Sequence, residues 1–87
     1  MQSANELEFL RLARKSRQGP QPVQVRELRE SVQRKQAIGI TAAQHLCADM
    51  LHTSQRSWRQ WETGDRKMHP AFWELAQIKV NVDELRG

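Results

Sequence analysis

The sequence predicts an all-α protein, a bundle of four to five short helices with an extension at its N-terminus. Apolar residues recur at spacings of three and four along most of the 87-residue chain, and no segment shows the strict alternation of a half-buried strand. Residues that cap helices precede several of these segments, and glycine or proline separates them. A chain of this length forms one small domain with a modest core, too small to hold a deep catalytic pocket as well.

The first predicted helix covers residues 4–16, with Asn5 as a candidate cap. The sequence Gly-Pro-Gln-Pro at residues 19–22 follows, and its prolines stop a helix because they lack a backbone donor and bias the preceding residue away from helical angles. Residues 1–22 are therefore predicted to be a helical extension with a linker. The main domain is expected to span residues 23–80, and residues 81–87 are an unassigned tail.

The second predicted helix covers residues 23–36 and is ended by Gly39. A capping box of the form T-x-x-Q follows, in which the Thr41 hydroxyl accepts from the amide of Gln44, so the third helix is expected to begin at Thr41. Its periodic apolar residues, the expected buried side, are Ala43, Leu46, Cys47, Met50 and Leu51.

Two more helices complete the predicted bundle. Ser54 is a good cap for a helix that runs through Glu62, and Gly64 supplies the left-handed residue that commonly ends one. Pro70 fits the first turn of a last helix. The residues that the last helix is expected to bury are Phe72, Leu75, Ala76 and Ile78. Trp73, adjacent to Phe72, is expected either at a dimer contact or as a partly exposed rim residue.

The helix at residues 54–62 carries different chemistry on its two faces. Trp58 and Trp61 are three residues apart and share one face, whereas Arg56 and Gln60 point the opposite way. The polar face carries hydroxyl, amide and guanidinium groups and no carboxylate. Arg and Gln match the guanine and adenine edges in the major groove of DNA. A solvated polar face with no ligand is the alternative interpretation.

Residues 41–76 resemble the helix-turn-helix domain of the Cro/CI (XRE) family of phage, plasmid and bacterial regulators. The family has the pattern T-Q-x-x-L-A-x-x-L-G-V-S-x-x-x-V-S-x-W-E-x-G, followed by a basic loop with proline. Several positions carry either the residue of this pattern or a similar one. They are Gln44, Cys47, Ala48, Leu51, Ser54, Trp61, Glu62 and Gly64. The variant R-S-W-x-x-W-E-x-G also resembles anti-CRISPR-associated repressors. The chain departs from the family where Ala43 replaces Thr, His52 replaces the turn glycine and Trp58 replaces a buried Val.

The resemblance implies a lambda-repressor-like helix-turn-helix bundle and a role for each matching position. The residues that would contact DNA bases are Gln55, Arg56, Arg59 and Gln60. Those that would contact phosphates are Gln44, Ser54, Ser57, Arg66, Lys67 and His69. The structural core of the motif would consist of Leu46, Cys47, Leu51, Trp58 and Trp61. His52 can occupy the glycine position because His tolerates the left-handed region better than most residues.

The function expected from this resemblance is sequence-specific binding of double-stranded DNA by a transcriptional regulator, a repressor that acts as a homodimer on an inverted repeat. One alternative is the antitoxin of a toxin–antitoxin pair, with a small protein partner bound through residues 1–22. The other is a protein-interaction adaptor. No enzymatic activity and no cofactor are expected.

The charge and the cysteine content of the chain indicate which partners and which cellular compartment to expect. The chain has fourteen Lys and Arg against ten Asp and Glu, and residues 1–43 hold eight of these basic groups and four of the acidic ones. This excess favours nucleic acid or an acidic partner. The single cysteine, Cys47, excludes an intramolecular disulfide and suits a cytoplasmic location. A membrane span is not expected because no apolar run is long enough.

Two further groups of residues have side chains that could bind a metal or DNA. The histidines and Cys47 are not expected to bind a metal, because Cys47 belongs to the buried stripe and His45 lies off it. A basic cluster precedes the predicted linker and consists of Arg11, Arg14, Lys15 and Arg17. It would be either a basic arm that follows DNA or the exposed face of a helix packed through its apolar residues.

Overall fold

The computed structural model describes residues 19–86, with side chains as far as Asn81. This part of the chain forms four helices and no strand: α1 (Pro22–Gln36), α2 (Ile40–Met50), α3 (Gln55–Thr63) and α4 (Pro70–Arg86). The predicted all-α class is confirmed. The predicted helix at residues 4–16, with its basic cluster, lies outside the described residues.

The start of α1 differs from the prediction because Pro22 opens the helix. Proline fits a first helical position, where its missing N–H would have no partner, and the Gln24 side chain accepts from the backbone N–H of Gln21 at 2.7 Å. Gly19 has a φ of 74°, and a Cβ there would lie 2.6 Å from the carbonyl oxygen of Met68. Residues 19–22 therefore pack on the loop that follows α3.

The connection between α1 and α2 corrects two predictions. Ala37, with a φ of 53°, ends α1 in the left-handed conformation, two residues before Gly39, which was predicted to end the helix. Gly39 instead caps α2, and its carbonyl accepts from the N–H of Ala43 at 3.0 Å. Thr41 thus lies inside the helix, and the predicted capping box with Gln44 is wrong. Because α2 begins at Ile40, the capping position belongs to Gly39, and the Thr41 hydroxyl is not placed to cap the helix.

The predicted turn between α2 and α3 is confirmed in its details. His52 adopts a φ of 55°, as a residue in the glycine position of the motif must. The Ser54 hydroxyl accepts from the backbone N–H of Ser57 at 3.1 Å, which caps α3. Gly64, with a φ of 86°, ends the helix. The α2–turn–α3 unit is a helix-turn-helix.

The core is built around Trp58, which is fully buried. The α2 residues in the same hydrophobic core are small, namely Ala43, Cys47 and Ala48. Small side chains leave volume for the Trp58 indole at the position where the Cro/CI pattern has a valine. The other buried apolar residues are Val25, Val32, Leu51, Trp61, Met68, Ala76 and Val80.

Three residues expected in the core are exposed. Leu46 is 36% exposed, because the buried side of α2 follows Ala43 and Cys47 and leaves Leu46 at its edge, so its assignment to the motif's core is wrong. Phe72 is 39% exposed although its ring contacts Trp61, and Ile78 is 51% exposed.

The last helix continues past the predicted end of the domain. Residues 81–86, expected to be a tail, extend α4 to Arg86. On the side facing the domain α4 buries Ala76 and Val80, and the Nζ atom of Lys79 donates to the Met50 carbonyl at 2.5 Å. This contact satisfies a carbonyl at the end of α2 and joins the two helices. No helix within residues 19–86 has the length and apolar character needed to cross a membrane.

Candidate nucleic-acid interface

The inner face of α3 is held by aromatic packing. The rings of Trp58 and Trp61 meet edge to face, with centroids 6.0 Å apart and planes at 74°. The ring of Trp61 also contacts that of Phe72, with centroids 5.6 Å apart. Edge-to-face pairs are favourable beyond the area they bury. Both tryptophans are therefore structural, as predicted, and neither is placed to stack on a base.

A buried ion pair, absent from the sequence-based prediction, fixes α3 to α1. The Glu62 carboxylate accepts from Arg29 twice, at 2.9 Å from Nη2 and at 3.2 Å from Nε, and from the Trp58 indole N–H at 2.5 Å. Arg29 also donates to the side-chain oxygen of Gln33. Glu62 is 4% exposed and Arg29 8%. The hydrogen bond to Glu62 raises the pKa of Arg29 despite its burial, so the guanidinium stays charged.

Only one signal in the sequence pointed to this pair. Arg29 falls four residues after Val25 and three before Val32, on the buried stripe of α1, and a charged residue on a buried stripe needs a partner. A second contact reinforces the pair, since Arg26 donates from Nη1 to the Glu62 carbonyl at 2.6 Å. Two cations from residues 1–43, buried Arg29 and exposed Arg26, thus donate to Glu62.

The outer face of α3 carries cations and amides. Arg56 and Arg59 are exposed, and Gln60 is half-buried beside them. Glu62 is the single carboxylate of this helix, and it is turned into the core. The exposed side of α3 therefore combines donors and positive charge without any acidic group.

Gln55 is held in place by the preceding helix. Its Nε2 atom donates to Oε1 of Gln44 at 3.1 Å, and both side chains are half-buried. The first turn is ordered further by the hydroxyls of Ser54 and Ser57, which lie 3.1 Å apart. The structure thus brings together four of the predicted DNA-contacting residues at the N-terminal end of α3, where the helix dipole is positive.

The loop after α3 contains three further residues predicted to contact phosphate, and they differ in their hydrogen bonds within the protein. Arg66 and Lys67 are exposed. His69 is exposed as well, but its Nδ1 atom accepts from the backbone N–H of Ala71 at 3.0 Å and so caps α4. Asp65, which precedes Arg66 and Lys67 in the chain and had no predicted role, accepts from the Thr63 hydroxyl at 2.9 Å.

The described residues contain no cluster of three or more His, Cys, Asp or Glu side chains that could hold a metal ion. Cys47 is buried and unpaired, and burial raises its pKa to about 12. Its thiol is therefore protonated at neutral pH and unsuited to act as a nucleophile.

Comparisons with known proteins place the chain near one enzyme over a short span. No family model and no solved structure matches the chain. It is similar to the Type II methyltransferase M.MspI of Moraxella sp, with 35% identity over 46 residues. The match covers 48% of this chain and 11% of the methyltransferase, so the chain corresponds to a small fraction of that relative.

Proposed function

We propose that this protein binds double-stranded DNA sequence-specifically and regulates transcription, with α3 in the major groove. The observation that carries the proposal is the outer face of α3, where two exposed arginines and an amide stand on a helix whose inner face is fixed by buried tryptophans and a buried ion pair. A rigid support is what base reading requires, because direct readout depends on placing donors and acceptors within hydrogen-bond geometry of a base edge.

The side chains of this face would contact different groups of the DNA. Arg56, Arg59 and Gln60 would contact base edges, with guanine the expected partner of an arginine. Gln55, oriented by its hydrogen bond to Gln44, would read an adenine edge or position α3 against the neighbouring phosphate.

The phosphate contacts would come from residues around the two ends of α3. Ser54, Ser57 and Gln44 would meet one strand, and Arg66 and Lys67 would meet the backbone beyond the C-terminal end. His69 would contribute through Nε2, since Nδ1 is occupied as a cap. These contacts set orientation and affinity, and carry no sequence information directly.

As a regulator the protein would act as a homodimer on an inverted repeat, with half-sites about one helical turn apart. A nine-residue recognition helix reads few base pairs, so a second copy is the simplest source of useful specificity. Occupation of a promoter by such a dimer would repress transcription.

The similarity to M.MspI is compatible with this proposal. A 46-residue match is too short for a catalytic domain, which needs a larger core and a pocket. We propose that the shared segment is a binding module and that this chain is not itself an enzyme.

Selection of bound sequences from a random pool of duplex DNA tests the proposal. The expected result is enrichment of a two-fold symmetric motif with guanines in each half-site. Absence of any enriched motif, with the protein folded, would contradict DNA reading and favour the protein-adaptor alternative.

A further inference from the structure

A cavity of about 190 Å³ lies beside the C-terminal end of α3. Residues 20–22 form one wall of it, and the opposite wall includes Trp61, Arg66, Lys67 and Met68. It is called the α3-end cavity below. Pockets that enclose whole organic ligands usually measure about 300–1,000 Å³. The α3-end cavity is smaller than that, and it suits a single small group rather than a coenzyme.

The wall formed by residues 20–22 packs directly on the loop after α3. A Cβ added to Gly19 would lie 2.6 Å from the carbonyl oxygen of Met68, and one added to Gly64 would lie 3.3 Å from Cγ of Pro22. Proline rings also fix the backbone angle φ at two of the three positions of this wall. The α3-end cavity therefore has a wall of closely packed backbone and rings, which has little freedom to collapse.

The charge at the α3-end cavity is positive. The exposed side chains of Arg66 and Lys67 form no ion pair or hydrogen bond with any residue that the structure describes. None of the described residues that line the cavity is acidic. The adjacent carboxylate of Asp65 accepts from the Thr63 hydroxyl instead. Two cations without a counter-charge at one cavity favour an anionic ligand.

The Trp61 indole N–H is a donor without a partner at the same cavity. It bonds to no residue that the structure describes, although the side chain is only 7% exposed. Every buried polar side-chain atom among these residues has a partner, so the N–H must be open to solvent. The backbone N–H groups of Lys67 and Met68 also lack a partner within residues 19–86. Unpaired donors around a cavity need an acceptor that the protein does not supply.

We propose that the α3-end cavity binds a phosphate group, to which the Trp61 indole N–H donates beside Arg66 and Lys67. A phosphate is a compact anion with several acceptor oxygens, so it can accept from a guanidinium, an ammonium and a neutral N–H together. The group belongs either to the backbone of bound DNA or to a free phosphate compound. In the first case the inference rests on the proposed function, and Trp61 touches DNA through its edge while its ring stays in the core.

The first test follows the indole N–H signals of the three tryptophans by heteronuclear NMR while inorganic phosphate is added at constant ionic strength. The Trp61 signal should move and saturate, with a dissociation constant on the order of 1 to 10 mM for so small a ligand. The Trp58 signal should stay in place, because that N–H donates to Glu62 in the core. A Trp61 signal that does not move, or that chloride moves equally, would overturn the proposal.

The second test places a negative charge at the rim of the cavity. Gln21 is exposed and precedes α1, where an acidic residue suits the helix dipole, so Gln21→Glu should fold normally by circular dichroism. It should weaken phosphate binding about three- to tenfold by like-charge repulsion. The matched control is Gln36→Glu, at the other end of α1 and about 21 Å along its axis, which should bind phosphate as wild type does.

A second variant keeps this test decisive if Gln21→Glu folds poorly. Lys67→Ala removes an exposed cation and no core contact, and it should weaken the response of the Trp61 signal to phosphate by a similar factor. Equal phosphate affinities of Lys67→Ala, Gln36→Glu and wild type would show that the phosphate does not bind in the α3-end cavity.

Duplex DNA identifies the source of the phosphate group. If the DNA backbone fills the cavity, saturating DNA should move the Trp61 signal, and inorganic phosphate should then move it no further. Gln21→Glu should also weaken binding to all duplexes more than Gln36→Glu does. If the cavity takes a free phosphate compound, Trp61 should respond to phosphate equally with and without DNA, and the two variants should bind DNA alike. Either result supports the cavity as a phosphate site.

The same measurements separate this inference from the proposed function. A Trp61 response to phosphate in a protein that enriches no DNA motif would support the α3-end cavity and contradict DNA reading. Enrichment of a motif, with a Trp61 signal that responds neither to phosphate nor to DNA, would support DNA reading and overturn the cavity.

Discussion

Helices α3 and α4 follow the same packing rule on their inner sides and differ on their outer sides. Helix α3 buries two tryptophans and a carboxylate, and everything it exposes is polar or cationic. Helix α4 buries two small aliphatic residues, Ala76 and Val80, and exposes Ile78 on its opposite side. The outer face of α3 is thus polar and cationic, whereas the outer side of α4 includes an exposed apolar residue among polar ones.

The two helices also differ in the contacts that hold each of them to the rest of the domain. Helix α3 has only nine residues, too few to be stable alone, yet it is joined to α1 by an ion pair and a further arginine contact, and to α4 by an aromatic contact. Helix α4 has 17 residues, and among its side chains up to Asn81 it buries Ala76 and Val80 and packs Trp73 and Leu75 at the edge of the core. Loss of a single inner contact should therefore cost much more in α3 than in α4.

Replacement of Trp58 by Ala should have the largest effect. It removes a fully buried indole and the donor at 2.5 Å from Glu62, and the expected loss in the free energy of unfolding is about 3 to 5 kcal/mol. Urea denaturation measures this loss. Trp58→Phe, which keeps most of the volume and removes the donor, should lose about 1 to 3 kcal/mol. Equal stabilities of Trp58→Ala and wild type would show that α3 does not depend on this ring.

The ion pair between α1 and α3 should rank next. Arg29→Met leaves the Glu62 carboxylate buried without its cation, so the expected loss is about 3 to 5 kcal/mol in the free energy of unfolding. The double variant Arg29→Met/Glu62→Met removes both charges and should recover part of that loss. A double-mutant cycle by denaturation gives the coupling. Additive losses in the cycle would mean that the two groups do not act as a pair.

The inner side of α4 should tolerate change better. Val80→Ala removes two methyl groups from a buried position at the rim of the groove between α1, α2 and α4, and should cost about 1 to 2 kcal/mol. Thermal unfolding compares it with Trp58→Ala. A loss as large as that of the tryptophan variant would contradict the contrast between the two helices.

The sequence predicted the fold class and the order of α1 to α4 because periodicity and capping are local signals. The Ser54 cap and the shared buried face of both tryptophans followed from such signals, whereas the left-handed turn at His52 was implied by the resemblance to the Cro/CI family. The Thr41 capping box failed because the helix begins earlier, at Ile40 after Gly39, and local patterns leave helix ends uncertain by one or two residues.

Other features of the site depend on contacts between distant residues, which one sequence does not reveal. Arg29 and Glu62 are 33 positions apart, and their pairing depends on the way α1 crosses α3. The exposure of Leu46 depends likewise on which side of α2 the rest of the fold covers, the side of Ala43 and Cys47. The predicted base-contacting residues remain predictions, since the structure gives their placement and not their ligand.

The most direct test of the central claim, that the outer face of α3 reads DNA, compares two arginine variants on the selected DNA motif. Arg56→Ala should weaken binding to that motif by about 1 to 3 kcal/mol and leave binding to unrelated DNA nearly unchanged, because it removes a base contact. The matched control is Arg34→Ala, which replaces an exposed arginine of α1. It should weaken binding to the motif and to unrelated DNA slightly and by the same amount. Affinities are measured by fluorescence anisotropy at fixed salt. Equal effects of the two variants, or undiminished selectivity in Arg56→Ala, would contradict the account.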